Sequence, residues 1–185
     1  MKPLTLAQLN AVQDAVLQNA RDLVADAELL ESNARLARAF SVAILASEEL
    51  AKSMFIGQAC EAVALGQQFD WATLERWVRQ HDKKLAVMRL LDVLSSSAEV
   101  ENSLFLQKAE LETQIIHQSE INAAKQDGFY VDIADDGTPI SPAEAIDADD
   151  VRAAIGLAKR GSRFSKKQQL KREMGSEIPK STRNC

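Results

Sequence analysis

The stretch Ser41–Gly57, SVAILASEELAKSMFIG, decides how this chain folds. Ile44, Leu45, Leu50, Met54 and Phe55 recur at the spacing of a helix, and no glycine or proline intervenes before Gly57. Glu48, Glu49 and Lys52 nevertheless stand in its middle. Ser41, Glu48 and Lys52 share one helical face, whereas Glu49 lies about 100° round from Glu48. The two glutamates therefore cannot point the same way. Two readings of this charge remain open: a surface i,i+3 or i,i+4 ion pair worth about 0.5 kcal/mol or less, or a polar seam facing other elements.

Outward from this stretch the chain reads as helical nearly throughout. The central helix is expected over about Asn33–Leu65, closed by Gly66. Before it, Thr5 and Gln8 form a capping box, Leu4 and Leu9 are placed for a hydrophobic staple, and an apolar stripe runs from Leu9 to Val24. After it, Asp70 caps a third helix that carries Trp71, Leu74, Trp77, Val78, Leu85, Met88 and Leu91 and frays at Ser95–Ser97. A fourth helix is expected from about Ala98 to Gln126, ending at Gly128. The segment FYVDIADDGTPISP has an Asp-Asp-Gly-Thr-Pro turn signal and predicts a short extended or hairpin excursion near 129–140. Ser141, Pro142 and Glu144 then open a last helix expected to end at Gly161. The fold class is all-α: an antiparallel four-helix bundle with an additional C-terminal helix.

The 185 residues, 46% of them apolar, suit one globular domain. Residues 1–161 are expected to form it, with 162–185 as a basic, flexible tail. That tail carries seven basic residues against two acidic ones, so +5 of the net −5 lies there and the body holds −10. A solvated end explains such a block, and RNA contact is the alternative. Two cysteines, Cys60 and Cys185, make no disulfide framework, and no apolar run is long enough to span a membrane. A cytoplasmic, membrane-free protein is expected.

His81 is the first candidate for chemistry. It lies in ERWVRQHDKKLAVM with Arg76 before it and Lys84 one turn on. A His suited to proton transfer beside cations has the parts for cutting RNA: a base for the 2′-hydroxyl and positive charge for the phosphate transition state. The bland account is an exposed or structural histidine, and it applies equally to His117. No phosphate-cradling glycine loop, zinc spacing or nucleophile elbow is present, so neither a metal nor a cofactor is expected.

Together, AFSVAILASEELAKSMF, HDKK and INAAKQDGFYVDIADDG resemble the abortive infection protein V (AbiV) family of the HEPN superfamily, over roughly Ala39–Ile146. The matching positions are Glu48, Glu49 and Lys52; His81 and Lys84; and Lys125, Tyr130, Val131 and Asp132. The resemblance implies an antiparallel four-helix core, usually dimeric, with charged residues gathered at a cleft near the subunit interface. It implies a phage-defence effector that arrests translation, with RNA or the translation machinery as partner and a phage-encoded protein as a possible activator. Many HEPN proteins are metal-independent ribonucleases with an Arg, four to six residues, then His, a spacing that Arg76 and His81 fit. In the catalytic reading His81 is the acid/base, Lys52, Lys84 and Lys125 hold phosphate, Glu48 or Glu49 orients them, and Ser41, Tyr130 and Asp132 line the cleft. The other reading is a non-catalytic dimeric module, its polar cluster fixing the interface and its 130–142 loop or basic tail recruiting a partner.

Overall fold

The computed structural model describes residues 1–81, 84, 87, 88 and 120–176, without the side chains of 164 and 166–176. Helix α1 spans Leu6–Ser32 and opens on the expected Thr5/Gln8 capping box. Helix α2 spans Leu36–Ala64, close to the expected bounds. Gly66 closes it at φ +67°, where Gln67 N donates to Ala62 O at 2.8 Å. Helix α3 spans Trp71–Arg79 behind the Asp70 cap, whose Oδ1 accepts from Thr73 N at 3.1 Å. Residues 120–127 form α4, ending at Gly128 as expected. The hairpin follows: β1 (Asp132–Ile133) pairs antiparallel with β2 (Pro139–Ile140), and Gly137 takes φ +84° in the turn.

Helix α2 is the axis of the molecule, with seventeen of its 29 residues buried. Its many Ala, Ser and Gly positions let neighbours approach closely. On one side α1 runs antiparallel to it: Leu9 meets Phe55 and Ile56, Leu17 and Ala20 meet Ala46 and Leu50, and Ala27 meets the Ala37–Ile44 end. On the other side the last helix runs parallel to α2, with Val151, Ala154 and Ile155 on Phe40–Ile44 and Ala158 near Leu50. The all-α expectation holds, the two-residue strands β1 and β2 forming the only sheet among the described residues.

Three expectations change. The third helix breaks at Gln80 (φ −87°, ψ 113°) and helical structure resumes at His81. Trp77 packs on Phe55 at 5.1 Å between ring centroids while His81 reaches Glu48. Those α2 partners are about 10 Å apart along the axis, but a continuous helix would rise only about 6 Å from Trp77 to His81. One extended residue adds about 2 Å to that rise, and the lengths of the Glu48 and His81 side chains span the remainder. Secondly, the Ser141/Glu144 capping box caps only one turn, α5 (Pro142–Ala145). Ile146 turns extended to enter the core, and Asp147 begins α6 (Ala148–Ser176) by accepting from the backbone N–H groups of Asp149 and Asp150 at 2.8 and 2.9 Å. Thirdly, α6 does not end at Gly161 but runs through it. The glycine serves packing there, since a Cβ would lie 2.4 Å from Met88 Cε and 3.1 Å from Leu50 Cδ1. The expected course of the fourth helix before residue 120, and His117 with it, lie outside the described residues.

Gly128 packs more tightly still. A Cβ there would lie 2.1 Å from Ser41 Oγ and 2.5 Å from the Ala37 carbonyl oxygen, backbone that cannot swing aside. Gly128→Ala should cost about 1–3 kcal/mol through overpacking. Gly161→Ala meets mainly a flexible methionine tip, and its gain in helix propensity of about 1 kcal/mol offsets much of the strain. Equilibrium urea unfolding of the two variants should rank them in that order; equal losses would show that the α4–α2 contact relaxes freely.

Candidate functional site

Glu48 projects from the middle of α2 with 3% of its side chain exposed. Three residues from two other parts of the chain meet it. Lys125, near the end of α4, donates from Nζ to Oε1 at 2.8 Å. Lys84 Nζ lies 3.1 Å from Oε2, and His81 Nδ1 lies 2.6 Å from the same oxygen. Both lysine side chains are 4% exposed, but that of His81 is 52% exposed. The cluster is therefore sealed except on the histidine's side.

The local fold explains each placement. Ser41 Oγ donates to the Lys125 carbonyl oxygen at 2.8 Å, and one turn later Gly128 rests on the same serine and on Ala37. This contact clamps the end of α4 onto α2 two turns before Glu48. Lys125 can then reach the carboxylate along the helix surface. The break at Gln80 does the same for His81 and Lys84.

Burial pushes the Glu48 carboxyl upward, but the Lys125 hydrogen bond, the Lys84 charge and the hydrogen bonds from His81 and Lys84 outweigh it and hold it below the ordinary value of 4.5. Glu48 is thus an anion at neutral pH. Facing an anion, His81 donates through Nδ1, which makes Nε2 the basic nitrogen of the neutral ring. Among the described residues one carboxylate faces two ammonium groups here, and the cluster keeps an excess of positive charge.

The other predicted residues lie elsewhere. Glu49 and Lys52 pair with each other across one turn of α2, so the surface ion-pair reading describes these two and the polar-seam reading describes Glu48. Glu49 also borders a shallow depression of about 390 Å³ lined by Ala11, Val12, Ala15, Val16 and Asn19 of α1. Arg76 is exposed and donates to Thr73 Oγ1 at 2.7 Å. Tyr130 is 66% exposed beside Phe129, and Asp132 is exposed with Oδ1 accepting from Ile133 N at 2.8 Å. Sequence reasoning missed Ser47 and Asn122, whose Oγ and Oδ1 are buried without a hydrogen-bond partner among the described residues. Their only sequence signal is proximity: Ser47 precedes Glu48, and Asn122 lies one turn before Lys125. Among the described residues no group of three or more His, Cys, Asp or Glu side chains is placed to hold a metal, and no helix is long and apolar enough to cross a membrane.

A helical bundle whose central helix buries a glutamate against lysines from two other segments, with a histidine at the rim, defines a class of all-α domains with a charged interior site. Residues 8–163 match the model of the HEPN_AbiV family, described as AbiV, and the chain belongs to that family. No curated protein and no solved structure matches it.

Proposed function

We propose that the protein is an abortive-infection effector that arrests translation by cutting RNA without a metal, acting as a homodimer with His81 as its acid/base group. Membership of the AbiV branch of HEPN domains supports the defensive role. The observation that carries the chemistry is the half-exposed His81 ring held by a buried carboxylate at 2.6 Å. Such a carboxylate fixes the tautomer and stabilises the imidazolium that forms when Nε2 takes a proton. His81 would remove the proton of a 2′-hydroxyl; the O2′–P bond forms, the P–O5′ bond breaks, and the leaving oxygen takes a proton back. The products are a cyclic phosphate and a 5′-hydroxyl end.

In this reading the cations divide. The sealing of Lys84 and Lys125 against Glu48 supports a part in keeping it charged and in place. Lys52, 27% exposed, is the lysine with access to solvent. The same sealing favours a second reading, in which the cluster only fixes the bundle or its dimer and the protein acts by binding.

Expression of the wild type and of His81→Ala in a bacterial host, with and without phage, separates the two. New RNA ends bearing 5′-hydroxyls in the wild type alone support cleavage. Phage protection that survives His81→Ala, with no new ends, overturns it in favour of binding.

A further inference from the structure

A cleft of about 470 Å³ opens at the C-terminal end of α2, between Leu4 and the start of α3. Leu4, Val63, Phe69 and Trp71 form its apolar wall, and Gln67 and Gln68 bring amides to its edge. The Phe69 and Trp71 rings meet edge to face at 5.3 Å between centroids, which fixes the indole. Trp71 nevertheless stays partly exposed, and both glutamines are exposed. Among the described residues neither glutamine side chain makes a hydrogen bond. A fixed, partly exposed indole beside unengaged amides suits an unstacked nucleobase: the base lies on the ring, and its edge meets donors and acceptors. The volume falls in the range of sites that take one small planar ligand.

Helix α3 leads from this cleft to His81, and along it Arg76 and Arg79 are exposed. Arg79 pairs with Glu75 at 2.9 Å. Arg76 donates to Thr73 Oγ1, and no carboxylate lies within ion-pair reach of it among the described residues. Asp70, beside the cleft in sequence, accepts from Thr73 N and Oγ1 at 3.1 and 2.6 Å, so it is occupied in capping α3. Val63 stands 15 residues after Glu48 on α2, which places the cleft about 22 Å along the axis from the carboxylate that holds His81. That is the length of about six stacked nucleotides at about 3.4 Å each, and of fewer in an extended strand. A free nucleotide in the cleft would reach neither His81 nor the whole arginine row, whereas a strand would pass both.

We propose that this cleft is a base-binding subsite for single-stranded RNA, in which Trp71 stacks on one base while Arg76 and Arg79 hold the phosphates between it and His81. The inference rests on the reading of the protein as an RNA-cutting effector and names the form of RNA it takes. A base inside a duplex reaches Trp71 only by breaking its pair and its stack, so the subsite selects unpaired RNA.

Fluorescence anisotropy with the full-length His81→Ala protein and a labelled single-stranded RNA of about 12 nucleotides measures binding apart from cleavage. The strand should bind more tightly than a duplex of the same sequence. In that background Trp71→Leu should weaken binding about 5- to 150-fold, the contribution of one stacked base, and Trp71→Phe should retain most of the affinity. Gln67→Ala/Gln68→Ala, which removes only exposed amides, should weaken binding with an unchanged urea midpoint. Arg76→Gln/Arg79→Gln should lower the slope of log affinity against log salt by about 1.4, the share of two phosphate contacts on a single strand. An abasic nucleotide moved along the strand should cost as much as Trp71→Leu at one position, and nothing further there once Trp71 is replaced. A Trp71→Leu protein that binds like its parent, an abasic scan with no sensitive position, or no binding of single-stranded RNA would each overturn the proposal. Cleavage that needs His81 but runs unchanged in an otherwise wild-type Trp71→Leu protein would remove the subsite and leave the catalytic reading standing. Trp71-dependent binding by a wild type that cuts nothing would keep the subsite and remove the catalytic reading.

Discussion

Glu48→Gln should lower the unfolding free energy by about 3–5 kcal/mol at neutral pH, the usual loss when one member of a buried ion cluster is removed. The glutamine keeps the shape and removes the charge, leaving Lys84 and Lys125 buried opposite a neutral amide. The loss should depend on pH in a definite direction. The folded-state carboxyl of Glu48 sits below its ordinary value, so in acid the unfolded chain takes up its proton first. Its stabilising effect is complete above the ordinary carboxylate range and fades as pH falls through that range and then through the lower folded-state value. Urea unfolding from about pH 6 to about pH 3 should therefore show the gap between wild type and variant narrowing. The capping carboxylates Asp70 and Glu144 are common to both proteins and cancel. A gap that stays constant across this range would mean that the cluster does not hold Glu48 as an anion.

His81→Ala should behave in the opposite way, with a small effect on folding and a large one on chemistry. The side chain is half exposed, and its removal leaves Glu48 with two lysine partners, so the unfolding midpoint should move little. If His81 is the acid/base group, single-turnover cleavage of a cellular RNA should slow about 10²–10⁴-fold, the range that general acid–base catalysis supplies. His81→Gln, which can still hydrogen-bond Glu48, should be as slow as the alanine variant. Retention of cleavage by His81→Gln would assign His81 a positioning part and place the proton transfer elsewhere.

Much of the helical framework was legible from local rules. Thr5/Gln8, Asp70 and Gly66 act within one turn of themselves, and the packing of the bundle does not alter what they cap. The hairpin was legible for the same reason, since Asp-Asp-Gly imposes its turn locally. The three departures came where distant packing overrode local preference. Gln80 breaks a helix that its neighbours favour because Trp77 and His81 must meet different turns of α2. Ile146 interrupts the last helix to reach the core. Gly161 reads as a stop in sequence, but it faces Met88 and Leu50 across a packed interface.

The candidate site divides along the same line. The spacing of Ser41–Gly57 determined by itself that Glu48 and Glu49 must diverge, and it left open whether the charges of the central helix pair at the surface or line a polar seam. It did not determine which glutamate turns inward, because both sit on the same repeat of apolar neighbours. Only the tertiary structure decided that, by bringing Lys84 and Lys125 from 36 and 77 residues away to one carboxylate. Pairing at such separations leaves no periodic trace in a single sequence. It rests on the close approach of Gly128 to Ser41 and on one extended residue at position 80, and both are consequences of packing between helices.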